Sequence, residues 1–295
     1  MFFDFIFKNN EVIDYDFCNN LQPHHYKKYL MKLYKQKMGY SFNLEKPKTL
    51  NELIQFLKIY DTTEKKEFLT DKTNINNYVK DKLGSSNLIK EVYKVYDNIS
   101  QINYDELPDK FMIKLNNSCR ANFPVLNKSK INNELDSYIK SYFMNKSLIN
   151  YAFVNGFELQ YKNIIPKIIV ERLYPKISEI QVICSYGKPM FITYLDEKNY
   201  IYDEIYKIDS KGNIIGDLPI KFSADYLVDV ARELSKEFSF VRVDFMIVNG
   251  EYPFFQEFTF TPYSGFANEQ IIEFNSNEYS DFCRNIVKDT NKIAK

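Results

Sequence analysis

The dipeptide Asn249-Gly250 constrains the fold of this chain most strongly, because it separates two runs rich in β-branched and aromatic residues. Asn-Gly between such runs is the strongest short-range hairpin signal, since a type I′ turn needs positive φ at both central positions. We therefore predict an antiparallel hairpin over residues 240–260. Counting outward from the turn predicts three facing pairs: Val248 with Glu251, Asp244 with Phe255, and Arg242 with Glu257.

Alternation along the two predicted strands sorts the side chains of the hairpin onto two faces. The polar face carries Arg242, Asp244, Glu257 and Thr259. The apolar face carries Val241, Val243, Phe245, Phe254, Phe258 and Phe260. One interpretation is that the polar face is simply exposed to solvent, because half-exposed antiparallel hairpins often show this pattern. The alternative is a binding site, because carboxylates on rigid strands suit Mg²⁺ and an arginine fork matches phosphate oxygens.

The composition indicates a globular protein and excludes several classes of function. Hydrophobic residues make up 45% of the 295 positions and charged residues 26%, which suits two or three structural units. The 39 basic and 39 acidic residues balance, so we expect no nucleic-acid partner. The two histidines are adjacent and the four cysteines lack Cys-x-x-Cys spacing, which argues against a zinc site or a histidine base. Without a run of about 18 apolar residues, we expect no transmembrane segment and a cytoplasmic protein with reduced thiols.

Helical periodicity marks the N-terminal part of the chain. Between residues 25 and 38, apolar residues recur at three- and four-residue intervals and the lysines lie largely off that stripe, which predicts an amphipathic helix. Its basic face is either simply solvated or docks on an anionic polymer or a membrane surface. Thr49 and Glu52 have capping-box spacing at the start of a second predicted helix, over residues 49–60.

Shorter elements follow and predict a mixed α/β chain. Helices are predicted over 73–82, ended near Gly84, over 131–145, and after Ser223, which we expect to be the N-cap. Strands are predicted at 93–96, 111–114, 164–173, 180–186 and 189–195, and the last two flank the turn Gly187-Lys188. The polar stretch 116–130 contains a proline and is expected to be a loop.

Several blocks of sequence, spread over residues 46–268, together carry a family resemblance. They are KPKTLNELIQFLKIYD (46–61), DK (71–72), LPDKFMIK (107–114), YKNIIPKIIVERL (161–173), YGKPMFI (186–192), FVRVDF (240–245) and EFTFTPYSGF (257–266). In this order they resemble the TupA-like branch of the ATP-grasp superfamily, which is associated with bacterial surface-polysaccharide synthesis. The resemblance implies an α+β protein in which two α/β subdomains with mixed or antiparallel sheets clasp a nucleotide, with an N-terminal helical segment added.

The resemblance also implies roles for particular residues, with ATP and Mg²⁺ as cofactors. The implied set is Lys72 and Lys114 at the ATP phosphates, Glu171, Arg172 and Leu173 at adenine and ribose, Asp244, Glu257 and Thr259 at Mg²⁺, and Arg242 as the phosphate clamp. Arg242 and Lys114 would be catalytic. Thr259 stands where many ATP-grasp proteins have a metal-binding Asn. For each lysine the alternative is an ordinary surface cation.

A turn after the hairpin is a second candidate site. In TPYSGF, Ser264, Gly265 and neighbouring backbone N–H groups are expected to meet an anionic substrate or the transferred phosphate. A plain turn is the alternative. The chain departs from the family at three points: no glycine lies between Lys114 and Lys130, Gln181 replaces a lysine, and Asn76 replaces a commonly basic residue. We expect Arg120 to supply a replacement cation.

The resemblance divides the chain into four regions. They are an N-terminal helical region (1–65), an N-terminal α/β subdomain (66–106), a lid subdomain (107–175) and a catalytic subdomain (176–295). The leading hypothesis is a carboxylate–amine ligase that acts on a sugar (uronic) acid through an acyl phosphate in capsule or surface-polysaccharide assembly. Its partners would be a sugar-acid, nucleotide-sugar or glycan substrate, an amine and other surface-polysaccharide assembly enzymes.

Two alternatives remain open at this point. One is a catalytically silent ATP-grasp-like protein that binds a glycan or a partner enzyme, and it is motivated by the missing glycine loop. The other is a glycosyltransferase, because Asp14-Tyr15-Asp16 has the pattern of a DxD metal motif.

Overall fold

The computed structural model describes residues 20–118, 121–148, 150–175, 177–196, 204–209, 213–267 and 284–290. The α-helices are α1 (Tyr26–Met38), α2 (Leu50–Tyr60), α3 (Glu64–Thr70), α4 (Ile75–Leu83), α5 (Asn133–Leu148), α6 (Tyr151–Gly156) and α7 (Asp225–Ser235). The strands are β1 (Val92–Tyr96), β2 (Phe111–Leu115), β3 (Asn122–Val125), β4 (Ile168–Arg172), β5 (Ile177–Ser185), β6 (Lys188–Leu195), β7 (Glu204–Ile208), β8 (Ile214–Ile215), β9 (Val241–Val248) and β10 (Tyr252–Thr259). Residues 284–290 are helical. Across the described residues, every helix is too short or too polar to span a bilayer.

The N-terminal helices follow the predicted periodicity. Helix α1 buries Leu30, Leu33 and Tyr34 and leaves most of its lysines at the surface. Helix α2 begins after Thr49, whose hydroxyl accepts a hydrogen bond from the Glu52 N–H. The Glu52 side chain accepts from the Lys48 N–H at the same end of the helix.

Four antiparallel strands form the first sheet, in the order β1-β4-β2-β3. Helix α5 covers one face of this sheet and buries Ile139 and Phe143 there. The predicted loop over 116–130 is wrong in part, because β3 pairs with β2 within it. The sheet also crosses the predicted boundary at residue 106, since β1 pairs with β4. Such pairing between distant segments leaves no local pattern in the sequence.

Six antiparallel strands form the second sheet, in the order β10-β9-β5-β6-β7-β8. Helix α7 covers one face with the apolar residues that its periodicity predicts: Leu227, Val228, Val230, Ala231 and Leu234. Ser223 lies one residue before the N-cap, which is Ala224, and its hydroxyl accepts from the Asp225 N–H. Two antiparallel sheets with helices on their faces confirm the predicted α+β class.

The hairpin of β9 and β10 forms as predicted, but its register differs. Asn249 and Gly250 have φ of 54° and 71°, as a type I′ turn requires. The Cα pairs are Val248 with Tyr252, Phe245 with Phe255, Asp244 with Glu257, and Arg242 with Thr259. All three predicted facing pairs are therefore wrong.

The register differs from the prediction in two steps. Beside the turn, Val248 pairs with Tyr252 and not with Glu251, so the loop is one residue longer than predicted, and a β-bulge further along β10 adds a second shift. The pairing shifts between Phe255 and Glu257, which leaves Gln256 as an extra residue on β10. The bulge lets Phe255 and Phe258 both face the core although they are three residues apart. Phe254, predicted on the core face, packs instead against Tyr174 with ring centroids 4.8 Å apart. Glu257 and Thr259 still share a face with Asp244, so the predicted polar face is confirmed.

Candidate functional site

The centre of the candidate site is a two-point ion pair on β9. Arg242 Nε lies 2.7 Å from Asp244 Oδ1, and Arg242 Nη2 lies 2.6 Å from Asp244 Oδ2. Residues i and i+2 of a strand point to the same face, which is why these two side chains meet. Asp244 is 1% exposed and Arg242 is 8% exposed. The guanidinium is therefore held in one orientation, with the Tyr263 ring centroid 5.6 Å from its Cζ.

Two residues of β10 complete the polar face predicted from alternation. The Thr259 hydroxyl donates to Asp244 Oδ2 at 3.1 Å and lies 3.5 Å from Glu257 Oε1. Glu257 pairs across the strands with Asp244. Its other oxygen, Oε2, lies 3.1 Å from the Lys72 ammonium. The structure thus brings Arg242, Asp244, Glu257, Thr259 and Lys72 together.

A second group of charges lies on the four-stranded sheet. Lys114 of β2 and Glu171 of β4 form a salt bridge and are both buried. Lys90, which the sequence analysis did not single out, lies 3.7 Å from Glu171 Oε2 and donates to Gln256 Oε1 at 2.9 Å. Lys90 comes just before β1, and nothing in its sequence context distinguishes it from a surface lysine.

Burial and neighbouring charges shift the acidity of the carboxyl groups. Burial raises the pKa of Asp244 to about 7, against the opposing effect of Arg242. Burial also acts to raise the pKa of Glu257, but the Lys72 ammonium and Arg242 outweigh it and hold the pKa below its ordinary value. Burial and the nearby Glu257 raise the pKa of Glu179. The site therefore keeps Glu257 ionised while Asp244 titrates near neutral pH.

Burial and neighbouring charges also shift the pKa values of Lys90 and Glu171 next to the four-stranded sheet. Burial, followed by the proximity of Lys114, lowers the pKa of Lys90 to about 8. Burial acts to raise the pKa of Glu171, but Lys90 and Lys114 outweigh it and lower the pKa overall. Buried titratable groups whose pKa values are shifted by burial and by charged neighbours are common at functional sites. These residues are therefore candidate site residues.

Three oxygen-bearing side chains form a row across the six-stranded sheet. Asp244 pairs with Gln181 of β5 on one side and with Glu257 of β10 on the other. Gln181 Oε1 is buried and has no hydrogen-bond partner among the described residues. Such an acceptor needs a donor or a cation to satisfy it.

The donor set of this row fits Mg²⁺. Mg²⁺ prefers one or two protein carboxylates together with phosphate oxygens and water. Asp244 and Glu257 are two such carboxylates. Glu257 already has a cation as its partner, the Lys72 ammonium. In the part of the chain that the structure describes, no group of three His, Cys, Asp or Glu residues has metal-binding geometry, so the protein ligands would be these two carboxylates.

The other predicted residues lie at the edges of this site or away from it. Arg172 is exposed and lies 3.4 Å from Glu91, at the end of β4, and Leu173 follows it. The Ser264 hydroxyl donates to Glu158 at 2.6 Å, and Gly265 O accepts from Gln55 at 2.8 Å. These last contacts point toward α2 and α6 and not toward Arg242. Arg120 and the Asp14-Tyr15-Asp16 triplet lie outside the described residues.

Lysines next to the four-stranded sheet and an Arg-Asp-Glu cluster on the six-stranded sheet thus lie close together. A family model for TupA-like ATP-grasp proteins matches residues 52–277, so the chain belongs to this family, as its sequence predicts. No curated protein sequence matches the chain significantly.

Several solved ligase structures are similar to the chain in fold. The D-alanine–D-alanine ligase of Helicobacter pylori is 15% identical, with a TM-score of 0.49 over 83% of this chain and 68% of the ligase. The L-amino acid ligase of Bacillus licheniformis is 12% identical, with a TM-score of 0.49 over 89% of this chain and 62% of the ligase. The D-alanine–D-alanine ligase of Bacillus anthracis is 16% identical, with a TM-score of 0.47 over 77% of this chain and 69% of the ligase.

Proposed function

We propose that the protein is an ATP- and Mg²⁺-dependent ligase that joins the carboxylate of a sugar acid, such as a uronic acid, to an amine. The observation that carries this proposal is the polar face of the hairpin, where Arg242, Asp244 and Glu257 lie together and Glu257 contacts Lys72. The sugar acid and a role in capsule or surface-polysaccharide assembly come from the resemblance to the family. A cytoplasmic location and association with other assembly enzymes belong to the same proposal.

The proposed reaction has two steps that share an acyl phosphate. A carboxylate oxygen of the sugar acid attacks the γ-phosphorus of ATP, the bond from that phosphorus to the β,γ-bridging oxygen breaks, and ADP leaves. The amine nitrogen then attacks the acyl carbon, the bond from that carbon to the phosphate oxygen breaks, and inorganic phosphate leaves. The amine gives up one proton to solvent. Neither step needs a side-chain nucleophile.

The residues of the site would act by position and charge. Lys72 and Lys114 would donate hydrogen bonds to phosphate oxygens, and Arg242 would neutralise charge on the transferring phosphoryl group. Asp244 and Glu257 would hold Mg²⁺, with Thr259 and Gln181 beside them. The metal, when bound, supplies positive charge against the β- and γ-phosphates. Arg172 and Leu173, where β4 ends, would meet the adenine and ribose.

A catalytically silent binding protein is the second candidate, and one observation favours it. Lys72 already contacts Glu257 and Lys114 already contacts Glu171, so both cations have protein partners without nucleotide. A ligand must exchange those contacts, and the stretch 115–130 has no glycine to lay a backbone over phosphates.

Titration calorimetry with Mg-ATP separates the two candidates, followed by an ADP-release assay with uronic acids and amines. The ligase proposal expects saturable Mg-ATP binding and ADP release that requires both substrates. Glu257→Gln should abolish ADP release. Glu251 lies at the turn of the same hairpin and forms an exposed salt bridge with Lys221, so Glu251→Gln is the control and should leave ADP release unchanged. Absence of binding at millimolar Mg-ATP would exclude the ligase, and binding without ADP release for any pair tested would favour the silent protein.

A further inference from the structure

A small cavity lies where the start of α4 meets the polar face of the four-stranded sheet. Its polar lining consists of Lys72, Asn76, Lys90, Lys114 and Glu171. Three of these five side chains are lysines. Lysine is seldom buried unless it is paired, so three in one lining is unusual.

Lys90 occupies the position in this cavity that joins the two sheets. Its ammonium donates to Gln256 on the six-stranded sheet and lies 3.7 Å from Glu171 on the four-stranded sheet. The backbone beside it is tied to both sheets as well, since Leu88 O accepts from the Phe255 N–H and Glu91 O accepts from the Arg172 N–H. The Lys90 side chain is therefore fixed in place and is only 6% exposed.

Among the described residues, the three lysines of the cavity outnumber the carboxylates that form salt bridges with them. Lys72, Lys90 and Lys114 bring three positive charges, and the two carboxylates that contact them, Glu171 and Glu257, bring two negative charges. The neighbouring Arg242 and Asp244 pair with each other, and burial raises the pKa of the nearby Glu179 and so favours its neutral form, so these three groups change this sum little. A buried excess positive charge is unfavourable in the free protein and favours an anion as ligand.

The neutral partner of Lys90 also favours an anionic ligand. Gln256 offers an amide oxygen and not a carboxylate, so it satisfies one donor of the ammonium without cancelling its charge. The carboxylate nearest to Lys90, on Glu171, already forms a salt bridge with Lys114. Lys90 thus brings a positive charge that a phosphate oxygen attracts.

We propose that Lys90 is a third polyphosphate-binding cation of this site, in addition to Lys72 and Lys114, and that the bound anion replaces Gln256 as its partner. The inference rests on the proposed function and adds to it a binding residue on the segment between the two sheets. A polyphosphate held by Lys90 contacts the 88–91 segment as well as both sheets.

Variants of Lys90 test the proposal by titration calorimetry with inorganic triphosphate and with Mg-ATP. Lys90→Gln should weaken triphosphate binding roughly 10- to 100-fold, since one charge-assisted hydrogen bond is lost. Lys90→Arg keeps the charge and should stay within about threefold of the wild-type affinity. Lys94→Gln, an exposed lysine four residues away that pairs with Glu106, is the matched control and should change nothing.

A second variant moves the charge instead of removing it. Asn76 lines the same cavity and its side-chain amide donates to Lys90 O, so the double variant Asn76→Arg with Lys90→Gln places a guanidinium next to position 90. This double variant should recover most of the affinity that Lys90→Gln loses. Thermal unfolding of each variant shows whether the fold is retained.

The outcomes distinguish this inference from the proposed function. If the wild type binds triphosphate and Lys90→Gln binds it equally well, Lys90 is not a ligand and only this inference is overturned. Equal losses in Lys90→Arg and Lys90→Gln, without recovery in the double variant, would show that packing and not charge matters, and would also overturn it. A wild type that binds neither triphosphate nor Mg-ATP overturns both.

Discussion

Arg242 and Asp244 lie two residues apart on one strand, and their side chains meet through two nitrogen–oxygen contacts of 2.7 and 2.6 Å. A two-point pair of this kind fixes the plane of the guanidinium as well as its position. Because both groups are buried, either partner alone would be an uncompensated charge. The pair is thus a fixed part of the site, and in the proposed reaction Arg242 would meet the phosphoryl group without reorganising.

Asp244→Asn tests the catalytic importance of this pair. The substitution keeps the volume and removes the charge that would hold Mg²⁺, so ADP release should fall at least about 100-fold. Asp229→Asn removes the acid of an exposed Arg-Asp pair on α7 and should leave the rate unchanged. Steady-state ADP release with both substrates is the measurement. Wild-type turnover in Asp244→Asn would refute the assignment.

Lys72→Met should have opposite effects on metal and nucleotide. The Lys72 ammonium contacts Glu257, so it competes with a metal ion for that carboxylate in the free protein. Its removal should tighten binding of Mn²⁺ alone several-fold and weaken Mg-ATP binding about 10-fold or more. Calorimetric titrations with each ligand measure both effects, with the exposed Lys110→Met as control. Weaker binding of both ligands would mean that Lys72 does not compete at Glu257.

Mg-ATP affinity should depend on pH because of Asp244. Burial raises its pKa to about 7, so the carboxyl group is protonated below that pH, and a metal ligand must be deprotonated. The affinity should fall by up to about 10-fold per pH unit below 7 and level off above it. Glu257 keeps its charge over this range because its pKa is lowered.

Glu179 on the neighbouring strand could also cause a change of Mg-ATP affinity with pH, because burial raises its pKa as well. A variant of Asp244 separates the two groups. Asp244→Asn should bind Mg-ATP weakly and lose the dependence below pH 7. A variant that keeps the wild-type slope would show that another group titrates.

Folding stability without ligand should change with pH in the opposite direction. Between about pH 4 and pH 7 the native state keeps a proton on Asp244 that the unfolded state releases. The free energy of unfolding should therefore decrease as pH rises through this window. Urea unfolding of the wild type at pH 5 and pH 7, compared with Asp244→Asn, measures the difference. Equal pH dependence in the two proteins would contradict the raised pKa.

The turn after β10 is strained and depends on Lys58. Tyr263, Ser264 and Gly265 all have positive φ, of 54°, 53° and 63°. The fully buried Lys58 donates to Ser264 O at 2.6 Å, and burial lowers its pKa to about 7 while Glu158 acts to raise it. Backbone strain of this kind persists only where surrounding contacts hold it.

Lys58→Met should therefore destabilise the protein by about 3 to 5 kcal/mol, because Gly156 O and Ser264 O lose a charged donor and Glu158 loses the positive charge near it. Lys80→Met, at an exposed position of α4, should cost less than about 0.5 kcal/mol. Urea unfolding monitored by circular dichroism measures both. A loss below 1 kcal/mol in Lys58→Met would show that the turn does not need this contact.

Local patterns predicted much of the fold and the central part of the site. The type I′ turn at Asn249-Gly250 and strict alternation on β9 brought Arg242 and Asp244 to one face, as expected. Helical periodicity predicted the buried stripe of α7 in the same way. These features depend on residues close together in sequence.

Features that depend on distant contacts could not be predicted in this way. The loop after Val248 is one residue longer than predicted, and the bulge at Gln256 inserts another residue without any local marker, so together they shift every predicted pair of the hairpin. Strand β1 joins the four-stranded sheet only through β4, more than 70 residues later. Lys90 is a candidate because Gln256 and Glu171 lie on either side of it, and both residues are distant from it in sequence.

A crystal structure with Mn²⁺ and a non-hydrolysable ATP analogue tests the central claim most directly. Anomalous scattering should place a metal ion about 2.0 to 2.3 Å from carboxylate oxygens of both Asp244 and Glu257, with the γ-phosphate beside Arg242 and Lys72 moved from Glu257 to a phosphate oxygen. A nucleotide bound elsewhere, or a metal ion away from both carboxylates, would contradict the account.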